Sequence, residues 1–166
     1  MLTFRDASAE DAGLISHIFA TSWRKTYNNL IAEDYLRRLP NDYWVPSVRA
    51  WLSSGQVYGL IIQEDGRPVG CSLYGRGRDE RFADWGEVIS LYILPDVMRR
   101  GVGTVLLKET LRLLREDGYA SAYLWAIEGN AMADAFYRKH GFVRTKDRVP
   151  YRIGGQDVAD IRYTLS

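Results

Sequence analysis

Cysteine occurs once in these 166 residues, at Cys71, and histidine twice, at His17 and His140. A single thiol cannot close an intrachain disulfide, so a reducing compartment suits the chain. Two separated histidines and one cysteine form no zinc-type ligand cluster, and no metal is expected. No apolar run approaches the ~18 residues that a membrane-crossing helix needs. The opening Met-Leu-Thr-Phe-Arg-Asp carries no signal-peptide pattern. Net charge is also lacking, since 22 Lys and Arg stand against 21 Asp and Glu. That balance argues against bulk electrostatic binding to nucleic acid or to an anionic membrane, although a local basic patch stays open. Internal repeats, low-complexity tracts and linkers are absent. With 46% hydrophobic residues, intrinsic disorder is excluded. The expectation is one soluble, cytoplasmic domain over residues 1–166.

Short apolar runs and helical periodicities fill that domain. Leu2 to Arg5 reads as a strand, and Ser8 with Asp11 three residues on resembles a capping box. Leu14, Ile15, Ile18, Phe19 and Trp23 recur at helical spacing and predict a helix over 9–25, with His17 partly exposed on it. A short helix is expected over 32–39, stopped by Pro40-Asn41-Asp42, and another turn or two over 45–54. Runs 56–63 and 68–74, joined by Glu64-Asp65-Gly66-Arg67, predict a hairpin in which Cys71 is a small buried hydrophobe. The polar segment 75–85 leads into an apolar strand over 87–94. A helix starts near Gly101 and ends at the C-cap Gly118. The strand after it, over 119–127, should lie parallel to the strand over 87–94, because a helical crossover joins them. Asn130 caps a helix through His140, and strands over 142–148 and 158–165 flank a turn at Gly154-Gly155. Antiparallel strands followed by a β-α-β-α-β half place the chain in the α+β class.

The junction from Glu87 to Gly103 carries the clearest chemistry. An apolar strand passes through Pro95 and the pair Arg99-Arg100 into Gly101-Val102-Gly103 at a helix start, where backbone N–H groups can hold an anion. A P-loop is excluded because its lysine is missing. A Rossmann fingerprint fits poorly because bulky Leu106 stands where a small residue is needed. Glu128 could mimic the ribose-binding acid of that fold, so dinucleotide binding stays as an alternative. The third reading is a pyrophosphate on the N–H groups of 99–104, with Arg99 or Arg100 adding charge. In the N-terminal third, Trp23, Tyr27, Tyr35, Tyr43, Trp44 and Trp51 either fill core and grooves or line a small-molecule pocket.

The run Leu91-Tyr-Ile-Leu-Pro-Asp-Val-Met-Arg-Arg-Gly-Val-Gly-Thr-Val-Leu-Leu107 resembles the acyl-CoA motif of the GNAT superfamily of N-acetyltransferases. The run Asn130-Ala-Met-Ala-Asp-Ala-Phe-Tyr-Arg-Lys-His-Gly-Phe142 is similar to that family's Asn-x-x-Ala-x-x-Leu/Phe-Tyr-x-x-x-Gly-Phe signature. The two stand in the family's order and separation, and the resemblance covers essentially the whole chain. It implies a mixed central sheet flanked by helices on both faces, and acetyl-CoA as acyl-donor co-substrate. Leu91, Tyr92, Ile93, Arg99, Arg100, Gly101, Val102, Gly103, Thr104 and Asn130 are the implied coenzyme contacts, although Asn130 is explained about as well as a plain N-cap. The sequence departs from the family at Met98, where the pattern has Arg or Gln. Methionine offers phosphate no hydrogen-bond donor, which bears on affinity more than on binding itself.

The implied reaction is direct acetyl transfer to an amine. An alkylamine is only ~0.1% neutral at pH 7, so a base is needed. Glu87 matches in spacing a glutamate that serves this role in some members, acting through water; otherwise it is an ion-paired or exposed strand residue. The resemblance also implies a β-bulge with a free N–H near Tyr92 or Ile93 for the oxyanion. Tyr137 falls on the family's general-acid tyrosine. The acceptor is expected between the N-terminal helices, with Trp23, Arg24 and Tyr27, and the segment 75–85. Ser22-Trp-Arg-Lys-Thr-Tyr27 also resembles a subgroup acting on small molecules and polyamines. Asp79, Glu80 and Asp84 could meet a cationic acceptor, but Arg76, Arg78 and Arg81 intervene. A peptide or protein amine, or a non-catalytic acyl-CoA-binding module, remain the alternatives. A homodimer through the C-terminal strands is a conjecture without a residue pattern behind it.

Overall fold

Short β-branched runs cannot bury an apolar face alone, and in the computed structural model, which describes Met1–Ser166, they pair into one seven-stranded sheet. Strands β1 (Leu2–Ala7), β2 (Val57–Glu64), β3 (Arg67–Arg76) and β4 (Gly86–Ile93) run antiparallel in turn. Strand β5 (Ala122–Ile127) lies parallel beside β4, as the crossover requires. Strands β6 (Val143–Ile153) and β7 (Gln156–Leu165) form a hairpin whose second strand inserts next to β5, giving the order β1-β2-β3-β4-β5-β7-β6. The helices are α1 (Ala12–Thr26), α2 (Glu33–Arg38), α3 (Val45–Ser53), α4 (Val102–Glu116) and α5 (Ala131–Lys139). The fold is α+β, with a mixed sheet between helices.

The boundaries that differ from expectation have local causes. The first turn of the expected helix over 9–25 is a 3-10 turn, Ala9–Asp11, fixed by Ser8 N–H donating to Asp11 Oδ2 at 2.9 Å. Strand β5 begins at Ala122 rather than 119, because Gly118 and Tyr119 close α4. Their N–H groups donate to Arg115 O and Leu114 O, each at 3.0 Å, and Gly118 takes φ +99°. The β6–β7 hairpin extends through Ile153 and Gln156, past the expected ends at 148 and 158. Pro150 and the charged residues of β6 hide it from a hydrophobicity reading. An edge strand tolerates both, since its outer N–H groups face no partner.

Cross-strand partners share a face of a sheet. Cys71, Leu73 and Gly75 pair with Tyr92, Ser90 and Glu87, and the slip between the last two leaves Ile89 as an extra residue. The bulge thus lies earlier than the Tyr92–Ile93 position expected for it. Glu87 pairs with Tyr123, while Trp125 and Ile127 pair with Arg162 and Asp160. One face therefore carries Glu87, Ser90, Tyr92, Tyr123, Trp125, Arg162 and Asp160. Helix α1 covers part of it, with the Phe19 ring 4.9 Å from Tyr92. Helices α4 and α5 cover the other face. Leu114 lies 2.9 Å from where a Cβ on Gly86 would sit, and Tyr163 donates to Asp134 of α5 at 2.6 Å.

Arg162 is fully buried, at 0% exposure, and ties three segments together. Its guanidinium lies 4.0 Å from the Phe82 ring centroid, 4.3 Å from Trp125 and 4.8 Å from Tyr123. It donates to Asp79 Oδ2 at 2.6 Å and to Asp147 Oδ2 at 2.8 Å. Hydrogen bonds from Arg81, and then from Arg162, hold the Asp79 carboxyl far below the usual carboxylate range. Arg162→Ala removes the cation from three rings and two carboxylates, and should cost about 3–5 kcal/mol of stability in urea denaturation. A loss under about 1 kcal/mol would make the clamp dispensable.

Candidate active site

Strands β4 and β5 pair only at Gly86–Ala122, Glu87–Tyr123 and Val88–Leu124. Beyond Val88 they part, and a cleft of about 440 Å³ opens between them, lined from both strands and from α1, α4 and α5. The direction of the β4 backbone in this cleft follows from the ladder. Leu94 N–H donates to Val69 O at 2.8 Å, so on alternation Tyr92 and Ser90 direct their backbone groups at β3. Leu91 and Ile93 direct theirs the other way, into the cleft. Ser22 Oγ donates to the Ile93 carbonyl at 3.0 Å, and because β5 no longer pairs with β4 beyond Val88 the Leu91 and Ile93 N–H groups face the cleft. Ser90 Oγ, on the cleft wall and out of solvent, has no partner in the protein.

One end of the cleft is the turn into α4. Arg99 takes φ +62° and Gly101 φ +81°, and α4 has no side-chain cap. The first bond into the helix is Val105 N–H to Gly101 O at 3.1 Å, and no N–H from Arg99 to Thr104 donates within the protein. Six bare donors at the positive end of a 15-residue helix form an anion cradle. A Cβ on Gly103 would meet nothing nearer than Phe136 at 3.6 Å, and one on Gly101 nothing within 4 Å. Packing therefore does not demand Gly103, which leaves close approach of a ligand as its physical reason. A pyrophosphate fits this donor set. Arg99, Gly101, Gly103, Thr104 and Met98 line the cleft, whereas Val102 is buried in the core. Arg100 does not line it, being paired with Glu64 at 2.5 Å.

Tyr137 reaches the cleft from α5, its ring 5.7 Å from Phe142 and 6.1 Å from Tyr163. Burial, with smaller repulsions from Tyr92 and Tyr163, pushes its phenol far above the ordinary value, so it stays protonated. Asn130 both lines the cleft and accepts from Ala133 N–H at 3.1 Å, so the N-cap is real and its amide N–H₂ remains for a ligand. From the other side Tyr27 lines the cleft, its hydroxyl 3.3 Å from that of Tyr92. Trp23 donates to Tyr92 from Nε1 at 2.9 Å and stands behind it.

Besides Arg100, Val102 and Trp23, which do not line the cleft, two more expected site residues are not brought to it. Arg24 turns away and donates to the Leu39 carbonyl at the end of α2. Glu87 is 1% exposed and does not line the cleft. Its Oε1 accepts from Arg78 N–H at 3.1 Å, Arg78 Nε at 3.0 Å and Tyr123 OH at 2.9 Å, and its Oε2 from Arg78 Nη2 at 2.8 Å. A carboxylate with four donors on it is a fastener for the segment after β3, not a free base. The loop carboxylates are no freer to meet a ligand in the cleft: Asp79 is held by Arg81 and Arg162, and Glu80 and Asp84 are exposed on the surface. Sequence reasoning missed Ser22, Thr26 and Trp125 as cleft residues. The four-residue spacing of Ser22 and Thr26 on one helix face was the available signal; Trp125 had none.

The acetyltransferase (GNAT) family model matches residues 22–142. An uncharacterised N-acetyltransferase of Bacillus subtilis, YuaI, is 32% identical over 136 residues, 78% of this chain and 74% of its own. The spermidine N(1)-acetyltransferase of Thermoplasma acidophilum is 23% identical over 149 residues, 85% of this chain and 88% of its own. Among solved structures, the PaiA N-acetyltransferase of T. acidophilum, in complex with coenzyme A, superposes with a TM-score of 0.76 at 19% identity, over 99% of this chain and 98% of that one.

Because Glu87 is sealed, Glu87→Gln should act through the fold. It should cost about 1–3 kcal/mol in urea denaturation and speed amide exchange across 77–85. The shape of the pH–rate profile of acetyl transfer should stay as in the wild type. Loss of the acid limb of that profile would instead make Glu87 the base.

Proposed function

The chain belongs to the acetyltransferase (GNAT) family, and we propose that it moves the acetyl group of acetyl-CoA directly to a primary amine of a small molecule of the polyamine kind. The observation that carries this reading is the parting of β4 and β5, with bare N–H groups at Leu91 and Ile93 between the α4 cradle and Tyr137. The relative named for spermidine acetylation and the solved neighbour holding coenzyme A support the choice of acceptor and donor.

Acetyl-CoA supplies an activated acetyl group as a thioester. The N–H groups from Arg99 to Thr104, with the Arg99 side chain, hold its pyrophosphate, and Asn130 and the β4 backbone hold the arm. The Leu91 and Ile93 N–H groups stabilise the charge that develops on the thioester oxygen. As the N–C bond forms and the C–S bond breaks, Tyr137 gives its proton to the sulfur. No unpaired carboxylate lines the cleft, so the amine sheds its protons to water at the cleft mouth. Glu87 acts as a positioning residue through Arg78 and Tyr123.

Thiol release with a panel of amines tests the reading. Turnover of spermidine or short diamines is expected; turnover of peptide amines alone would favour a protein acetyltransferase. Tight acetyl-CoA binding with no amine turned over would leave a binding module. Tyr137→Phe should lower turnover roughly 10- to 1000-fold while acetyl-CoA affinity by calorimetry holds. Unchanged turnover removes the general-acid role. Arg99→Glu should weaken acetyl-CoA by about tenfold, most at low salt, and Arg100→Glu far less, since Glu64 already engages Arg100. Equal effects would relocate the phosphate site.

A further inference from the structure

Carboxylates that this fold shields from solvent are matched by arginine. Asp11 pairs with Arg5, Glu64 with Arg100, Asp79 and Asp147 with Arg162, Glu87 with Arg78, and Asp134 with Arg138. Asp160 is the exception. It is partly buried on β7, forms no ion pair, and has one side-chain partner, Tyr151, whose hydroxyl donates to Oδ1 at 3.1 Å. Arg162, two residues along on the same face, holds Asp79 and Asp147 instead.

The position of this carboxylate makes it informative. Asp160 pairs with Ile127 of β5 and shares its face, which is the face of Trp125 and Tyr92. Trp125 lines the cleft, and Ile127 is the next residue of β5 on that face, about 7 Å further along the strand. Burial raises the phenols of Tyr27, Tyr92 and Tyr151; Tyr92 and Tyr151 add to the rise at Tyr27, Tyr92 adds to that at Tyr151, and the Asp160 charge is felt at Tyr92 and Tyr151. Burial raises the Asp160 carboxyl, with the Tyr151 hydrogen bond pulling the other way, so the charged form lacks its full compensation. An un-countercharged carboxylate beside electron-rich rings is a receptor for an organic cation.

We propose that Asp160, steadied by Tyr151, binds the protonated non-reacting amine of the acceptor, which makes the acceptor a diamine or polyamine rather than a monoamine. This rests on the acetyltransferase reading above and assigns the substrate class to a residue outside both sequence motifs. Tyr27, Tyr92 and Trp125 line the cleft, and Asp160 lies just outside that lining, on the sheet face that Trp125 and Tyr92 share. Trp125 itself is fixed by Arg162 beneath it.

The test compares 1,4-diaminobutane and spermidine with butylamine in the thiol-release assay, for wild type and Asp160→Asn. Wild type should prefer the diamines. Asp160→Asn should lower the ratio of kcat/KM for diaminobutane over butylamine by about 30-fold or more, through KM. No preference in wild type, or an unchanged ratio in the variant, overturns the proposal. So does a collapse of kcat for all three amines, which would make Asp160 a proton acceptor. Titration of spermidine into the CoA-loaded protein by calorimetry is the second arm. If wild type turns over no amine yet binds spermidine, and Asp160→Asn loses that binding, the transfer reading fails and the cation site stands. Should Asp160→Asn not fold, Tyr151→Phe should still reduce the diamine preference by about three- to tenfold, and an unchanged preference counts against the site.

Discussion

The parting of two parallel strands governs this structure. A strand whose backbone N–H and C=O groups lose their neighbour must find other partners or remain open to solvent or ligand. Strand β4 loses β5 after Val88, and the bulge at Ile89 turns Leu91 and Ile93 toward the gap. Only one of the freed groups that can be traced, the Ile93 carbonyl, is bonded from within the protein, by Ser22. The cleft is therefore polar at its wall and apolar around it, with donors fixed by a sheet rather than by a mobile loop. Donors held this way need little reorganisation when charge appears in front of them, which is the physical basis of oxyanion stabilisation.

Holding two strands apart requires the rest of the sheet to be stiff, and buried charge supplies much of that. Glu87 fastens Arg78 and Tyr123 at the point where the strands are still joined. Arg162 fastens Phe82, Tyr123, Trp125, Asp79 and Asp147 on the next strand but one from β4. Isolated buried ion pairs contribute little net stability, but removing one partner strands the other, so such clusters fix geometry. Both clusters sit on the face away from α4 and α5. They brace the wall that carries Trp125 and Tyr92 without touching the cradle.

Most of the architecture was legible because it is local. Helical periodicity fixes α1 and α4, and Gly118 and Asn130 mark ends that the structure shows as hydrogen-bonded caps. The turn into α4 was legible for the same reason: Arg99, Gly101, Gly103 and Thr104 are neighbours in the chain, and their cradle depends on backbone. Three features were not legible. The bulge sits at Ile89 rather than near Tyr92, because a one-residue register slip leaves no composition signal. Glu87 was placed by spacing, yet its burial depends on Arg78 and on Tyr123, 36 residues away. Arg24 lies in a suggestive run, but its direction is set by the Leu39 carbonyl at the end of another helix.

The two faces of the sheet thus divide the chemistry in a way that explains what a sequence can say about it. On the donor side the parts are contiguous. Residues 98–104 and 130–137 each form one turn or helix, so the demand for glycine, asparagine and tyrosine at fixed spacing is written as a motif. Met98 departs from the motif without altering the cradle, because the donors of that cradle are main-chain N–H groups that any side chain leaves in place. On the proposed acceptor side the parts are scattered: Tyr27 from the C-cap of α1, Tyr92 from β4, Trp125 from β5, Tyr151 from β6 and Asp160 from β7 come near one another only in three dimensions. On the proposed reading, single substitutions there should change which amine is recognised without disturbing the N–H groups or Tyr137. On that reading the reaction type is encoded locally and the acceptor non-locally, and a wall assembled from five elements can be retuned one residue at a time.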